Sequence, residues 1–166
     1  MTRRVVPWPA QVLRAKAADV AAVTADVRAL WAEMVEVMDA MPGYGLAAVQ
    51  IGVALRLAVV DASEARGQAV LMANPEVLHA SGQMRTHEEA SPNLPGVAAV
   101  ITRPRAVTVR FMNASGMVEE KDFVGLWATS VQHQIDHLSG RMYFDHLSPV
   151  KRKMLIAKAG KLGRRA

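Results

Sequence analysis

The sequence predicts an α+β domain. Two observations predict it: the helical periodicities sit towards the two ends of the chain, and the segment between them falls into short β-like runs separated by glycine, proline and asparagine. The strand-helix alternation that builds a doubly wound parallel sheet is absent, so helices flanking a set of short strands are expected.

Each element follows from its residues. Thr24 is a suitable N-cap for a helix whose apolar positions Val27, Leu30, Trp31, Met34, Val35, Met38 and Met41 recur at spacings of three and four and end before Pro42-Gly43. Strands are expected over residues 55–61, over 69–73 with Pro75 as the stop, near 82–89, over 97–101, over 107–111, and over 117–123 after the turn Asn113-Ala114-Ser115-Gly116. Gly125 opens and Gly140 closes a further helix, and Pro149 begins the last one.

With 166 residues, 51% hydrophobic, and no long linker, repeat or low-complexity segment, the chain is expected to form one domain over residues 1–166. Arg3 and Arg4 precede Val5-Val6-Pro7-Trp8-Pro9, which is too short and too proline-broken for the apolar core of a secretory signal. No run approaches the length that spans a bilayer, so a soluble cytoplasmic protein without membrane contact is expected, and a monomer. The absence of cysteine excludes disulfides and thiolate ligands. The net charge of +5 is unevenly placed: residues 151–166 carry seven cations and no acid, whereas the remainder holds 13 basic and 15 acidic residues. Such a basic terminal helix or tail is either an electrostatic footprint for RNA or another polyanion, or a solvated helix whose cations complement its own dipole.

The most informative stretch is Gln132-His133-Gln134-Ile135-Asp136-His137. Two histidines four apart on a helix point from one face and can grip one metal ion. In hydrolases built this way, the residue after the first histidine is a glutamate that moves protons to and from metal-bound water. Here that position is Gln134, which does not titrate. Taken alone, the pair reads more readily as satisfied core histidines. Leu126 and Ser130 share the face of His133 and His137, and His87, Glu89 and Ser91 share one face if their segment is extended, so that Glu89 or His87 is a candidate substitute ligand.

Three motifs together resemble the peptide deformylase family. Gly43-Tyr44-Gly45-Leu46-Ala47-Ala48-Val49-Gln50 resembles its first motif, Gln132 to His137 its third, and Glu88-Glu89-Ala90-Ser91-Pro92 lies where the family carries Glu-Gly-Cys-Leu-Ser. The resemblance implies mostly antiparallel sheets around a central metal-site helix, with a C-terminal helix. It implies removal of the formyl group from N-terminal methionine, with a divalent metal (iron, nickel or zinc) as cofactor. The partners implied are the formyl-methionyl or methionyl N-termini of nascent chains, with ribosome contact through residues 151–166. Carried over position by position, it makes His133, His137 and Ser91 the metal positions, and Gln50 and Gln134 the catalytic ones. Gly43, Tyr44, Gly45, Leu46, Leu126, Thr129 and Ser130 then bind substrate. Glu89 is expected to pair with Arg103, and with Asp136 to serve structure.

The departures from that pattern point one way. Ser91 replaces the cysteine, and a neutral hydroxyl is a weak ligand compared with a thiolate. Pro92 has no backbone N–H where the family uses one to stabilise the oxyanion, a loss of about a hundred- to thousandfold in turnover. Gln134 removes a general acid/base worth roughly another hundred- to ten-thousandfold, although such losses do not add cleanly. Thr129 and Ser130 stand where deformylases usually carry apolar residues or a cysteine, so a more polar pocket is expected unless the two hydroxyls merely back-bond to the preceding helical turn. Three functions are therefore in play: a binding module with lost or impaired deformylation, a metal-dependent amide hydrolase with a non-standard site, and an RNA- or ribosome-binding protein acting through its basic helix.

Overall fold

The computed structural model describes residues 2–165. Its strands, in chain order, are β1 (Gly45–Ala47), β2 (Leu57–Val60), β3 (Val70–Ala80), β4 (Met84–Glu89), β5 (Ala99–Pro104), β6 (Ala106–Met112) and β7 (Val118–Val124). Five of them form one sheet in the order β1-β2-β3-β6-β7, and β4 pairs with β5 in a second sheet. Neighbouring strands pair antiparallel throughout. The helices are α1 (Gln11–Arg14), α2 (Ala25–Ala40), α3 (Leu126–Leu138) and α4 (Pro149–Arg165), with single 3-10 turns at Ala48–Ile51 and Tyr143–His146. The fold is α+β, as the element pattern predicts, and no helix among the described residues is long and apolar enough to cross a membrane.

The five-stranded sheet is covered on both faces at β2, and strand alternation explains how. In β2, Leu57 and Val59 join Trp31, Met34 and Met38 of α2 in one core, while Ala58 and Val60 face the opposite core with Val131 and Leu138 of α3. That is why β2 is an unbroken apolar run with every residue buried. Each large aliphatic side chain removed from water contributes about 1.5–3 kcal/mol, so β2 anchors both α2 and α3. Thr24 caps α2 as its sequence implies, its hydroxyl oxygen accepting from Val27 N–H at 3.2 Å. A third apolar cluster, with Met142, Tyr143, Phe144, Leu155 and Ala159, fastens α4 to the strand-five region through Val97 and Ile101.

One expected boundary is wrong. Pro75 does not stop its strand: β3 runs on to Ala80. Pro75 lies within the register shift between Ala73 and Glu76, and Asn74 adopts φ +52°, so the missing N–H falls where the ladder is already interrupted. The short β1 and the two 3-10 turns lie outside the periodicities that mark the longer elements.

Candidate functional site

A cavity of about 470 Å³ opens between the two sheets, with α3 as its floor. One wall is the segment Met41 to Gly45 leading into β1, the other is the end of β4 and the loop after it, from His87 to Pro92, and Leu126, Thr129, Ser130, His133 and Gln134 come from α3. Both walls are strand edges, because β1 ends the large sheet and β4 pairs only with β5. Gly43, Tyr44, Gly45, Gln50, Ser91, Leu126, Thr129, Ser130, His133 and Gln134 are thus brought together as the sequence motifs imply. Leu46 is a correction: it is fully buried with Trp31 and Met34 in the core beside α2. Successive strand residues face opposite ways, so with Gly45 at the cavity the Leu46 side chain turns inward.

On α3, His133 and His137 lie one turn apart with their Nε2 atoms 3.1 Å from each other. Behind them, His133 donates from Nδ1 to Glu89 Oε1 at 2.8 Å, and Arg103 donates from Nε and Nη2 to Glu89 at 2.7 and 3.0 Å. Arg103 also meets Asp136 at 2.9 Å, which accepts from His146 Nε2 at 2.7 Å. The Glu89 and Arg103 pairing expected from sequence is therefore present, and Asp136 completes it. Glu89 is not a substitute metal ligand: its carboxylate is held by Arg103 and by the Nδ1 side of His133, away from the facing Nε2 atoms. Burial opposes charge on Glu89, yet the hydrogen bonds and charges of His133 and Arg103 outweigh it and hold its pKa below the ordinary carboxylate value. Asp136 is lowered for the same reason, burial being overcome by His146 and Arg103. His137, fully buried and next to His133, is pushed well below the usual histidine value, and burial with the nearby Glu89 charge raises Tyr143 to about 12.

The second motif is organised by Asn93, a residue to which the sequence assigned no role. Its Oδ1 accepts from Gln50 Nε2 at 2.8 Å and from Ser91 Oγ at 3.0 Å, while its Nδ2 donates to the carbonyls of Val6 at 2.6 Å and Gln50 at 3.1 Å. Gln50 is further fixed by accepting from Ala47 N–H at 2.9 Å. The amide of Gln50, a catalytic position by the resemblance, and the hydroxyl of Ser91, a metal position by the resemblance, thus both donate to one buried asparagine. Only the local signal, an asparagine between Pro92 and Pro95, marks a turn there.

Gln134 stands beside β1, where a Cβ added to Gly45 would lie 2.6 Å from both its Nε2 and Ser130 Oγ. Its Oε1 is buried without a hydrogen-bond partner. Neither hydroxyl of the preceding turn back-bonds in the helix: Ser130 donates to the Tyr44 carbonyl at 2.8 Å, and Thr129 accepts from Arg85 Nη1 at 3.0 Å. Thr129 and Ser130 both line the cavity, and Thr129 is held by Arg85, an arginine that sequence reasoning missed.

The donor set does not fit a tightly held divalent ion. Two imidazoles converge, but Ser91 is neutral and donates its proton to Asn93, and no group of three His, Cys, Asp or Glu suited to a metal occurs among the described residues. To present both Nε2 lone pairs to an ion, His137 must carry its proton on Nδ1, which is buried without an acceptor.

Comparison with known proteins agrees with this architecture. The chain is 39% identical over 166 residues to a peptide deformylase of Afipia carboxidovorans, covering 99% of this chain and 97% of that one. It superposes on the crystal structure of a peptide deformylase from Legionella pneumophila with a TM-score of 0.91 at 34% identity, covering 99% and 96% of the two chains. It superposes equally, at 0.91 and 30% identity over 98% of both chains, on a peptide deformylase from Ehrlichia chaffeensis in complex with actinonin. Residues 2–153 match the family described as polypeptide deformylase. With fold, motif order and helix-borne histidine pair in agreement, this chain belongs to the polypeptide deformylase family.

Proposed function

We propose that this protein binds the N-terminal segment of a peptide, formyl-methionyl or methionyl ends of nascent chains being the natural class, and that its deformylation is lost or strongly impaired. The observation that carries the reading is the cavity itself. It is framed by two strand edges, the geometry that receives an extended peptide by backbone pairing, while the residues at its centre depart from the family's pattern. Gln134 moves no proton, Pro92 offers no N–H, and Ser91 and Gln50 are engaged by Asn93. Cytoplasmic localisation, a single domain and a monomeric state accompany this reading.

A second reading is supported by the facing Nε2 atoms of His133 and His137 and by 39% identity to a protein named peptide deformylase. In it, a divalent metal acts through a non-standard site. The deciding experiment measures metal content of protein purified without air or chelator, binding of formyl-Met-Ala-Ser by calorimetry, and its turnover with iron(II), nickel(II) or zinc(II). Peptide binding without turnover above the free-metal control is expected. Stoichiometric metal with turnover above that control overturns the proposal in favour of the second reading.

A further inference from the structure

The side of the cavity formed by β4 is unusually rich in hydrogen-bond donors. Alternation along the strand puts Arg85, His87 and Glu89 on the face turned towards α3, where they meet Thr129 and His133. Glu89 is committed to Arg103 and His133. Arg85 donates to the Thr129 oxygen at 3.0 Å, which leaves the Thr129 hydroxyl proton free to be donated. Between them His87 lines the cavity with its Nδ1 buried and unpartnered. The only other hydroxyl on this stretch of α3, Ser130, already gives its proton to the Tyr44 carbonyl. Leu126 supplies apolar surface beside them.

From this arrangement we propose that Thr129 and His87, with Arg85 holding the Thr129 oxygen, select a peptide whose first side chain carries a hydrogen-bond-accepting oxygen, at the tip of an apolar stem that lies on Leu126. The inference rests on the reading of the cavity as a peptide site and departs from it in the first residue, an oxygen-bearing side chain being held in preference to unmodified methionine. A purely apolar tip covers the Thr129 hydroxyl without pairing it, whereas an oxygen satisfies it, and sites built to hydrogen-bond discriminate strongly against ligands lacking the partner. Methionine sulfoxide, glutamine and glutamate share this chemistry. They differ in charge, so a preference for glutamate reports the positive charge of Arg85 beside Thr129, and a preference for the neutral pair identifies Thr129 and His87.

The test is calorimetric titration of the full chain with formyl tripeptides identical except for a first residue of methionine, methionine sulfoxide, glutamine or glutamate. At least one oxygen-bearing peptide is expected to bind roughly tenfold or more tightly than the methionine peptide. Thr129→Val is expected to reduce that preference to about twofold, and Thr129→Ser, which keeps the hydroxyl, to retain it. Thermal melts of each variant separate lost folding from lost selectivity, and His87→Leu provides an independent second variant. The proposal is overturned if the methionine peptide binds as tightly as the others, or if the preference survives both Thr129→Val and His87→Leu. Binding of none of the four peptides removes the peptide reading itself and this inference with it, an outcome distinct from binding without preference.

Discussion

Nε2 of His137 lies 3.1 Å from Nε2 of His133, and this contact takes the direction the surrounding network imposes. His133 gives its Nδ1–H to Glu89, so its Nε2 is the acceptor and His137 is the donor. The two nitrogens that would hold an ion are thus engaged with each other, the lone pair of His133 Nε2 accepting the proton of His137 Nε2.

If the missing third ligand is what weakens metal binding, restoring it alone recovers affinity. Ser91→Cys adds a thiolate to the two imidazoles and is expected to raise zinc affinity roughly a hundredfold, read by competition with a chelating dye. A gain smaller than about tenfold would place the obstacle instead in the unpartnered Nδ1 of His137.

Glu89 is the keystone of the charges behind the site. It accepts from Arg103 twice and from His133 once, with both members of the Arg103 pair almost fully buried. Glu89→Gln leaves a buried guanidinium short of its counter-charge and is expected to destabilise the protein by about 3 kcal/mol in urea unfolding, without change in the denaturant slope. A loss below about 1 kcal/mol would mean that Asp136 compensates the arginine unaided.

The same carboxylates set the acid limit of stability. Glu89 and Asp136 both have folded pKa values below their unfolded ones, so their contributions are complete above the ordinary carboxylate range and disappear as pH falls through the lowered values. Stability is expected to decline steeply between roughly pH 5 and pH 2, and Asp136→Asn should flatten that decline. Unfolding free energies measured across the range check it; an unchanged slope in Asp136→Asn would show that the aspartate is not a linked group.

Much of this arrangement is legible in the sequence because it depends on local spacing. Thr24, Gly125 and Pro149 mark helix starts, the four-residue spacing of His133 and His137 places them on one face, and Glu89 with Arg103 is foreseeable from opposite charges on adjoining β-like runs. What escapes is long-range. Asn93 reaches Gln50 and Val6, 43 and 87 residues away, and Arg85 meets Thr129 across 44 residues, so no local period encodes either contact. Leu46 was misplaced for a different reason: motif membership assigns a segment to the cavity, but alternation along β1 decides which of its side chains face it. Pro75 misleads because its effect depends on whether its neighbour across the sheet needs the N–H, and at the bulge it does not.

Gly45 offers a test of the cavity that removes none of its polar groups. At this position a Cβ would stand 2.6 Å from Gln134 Nε2 and 2.6 Å from Ser130 Oγ, both of them side-chain ends rather than backbone. Gly45→Ala therefore pushes the Gln134 amide, and with it the Ser130 hydroxyl that holds the Tyr44 carbonyl, out of their present places at the cavity wall. Gly45 has no positive φ, so the substitution carries no backbone strain of its own. The expected result is a modest stability loss, about 1–2 kcal/mol from local overpacking, together with at least a roughly tenfold loss of peptide affinity. Gly140→Ala is the contrasting change: its φ is +80° and its Cβ would meet the Arg14 backbone at 2.9 Å, far from the cavity lining. It should reduce stability by more than Gly45→Ala and leave affinity of the folded fraction unaltered. If instead Gly45→Ala binds peptide as tightly as the parent protein, the bound chain does not pass along β1, and the strand-edge geometry loses its role.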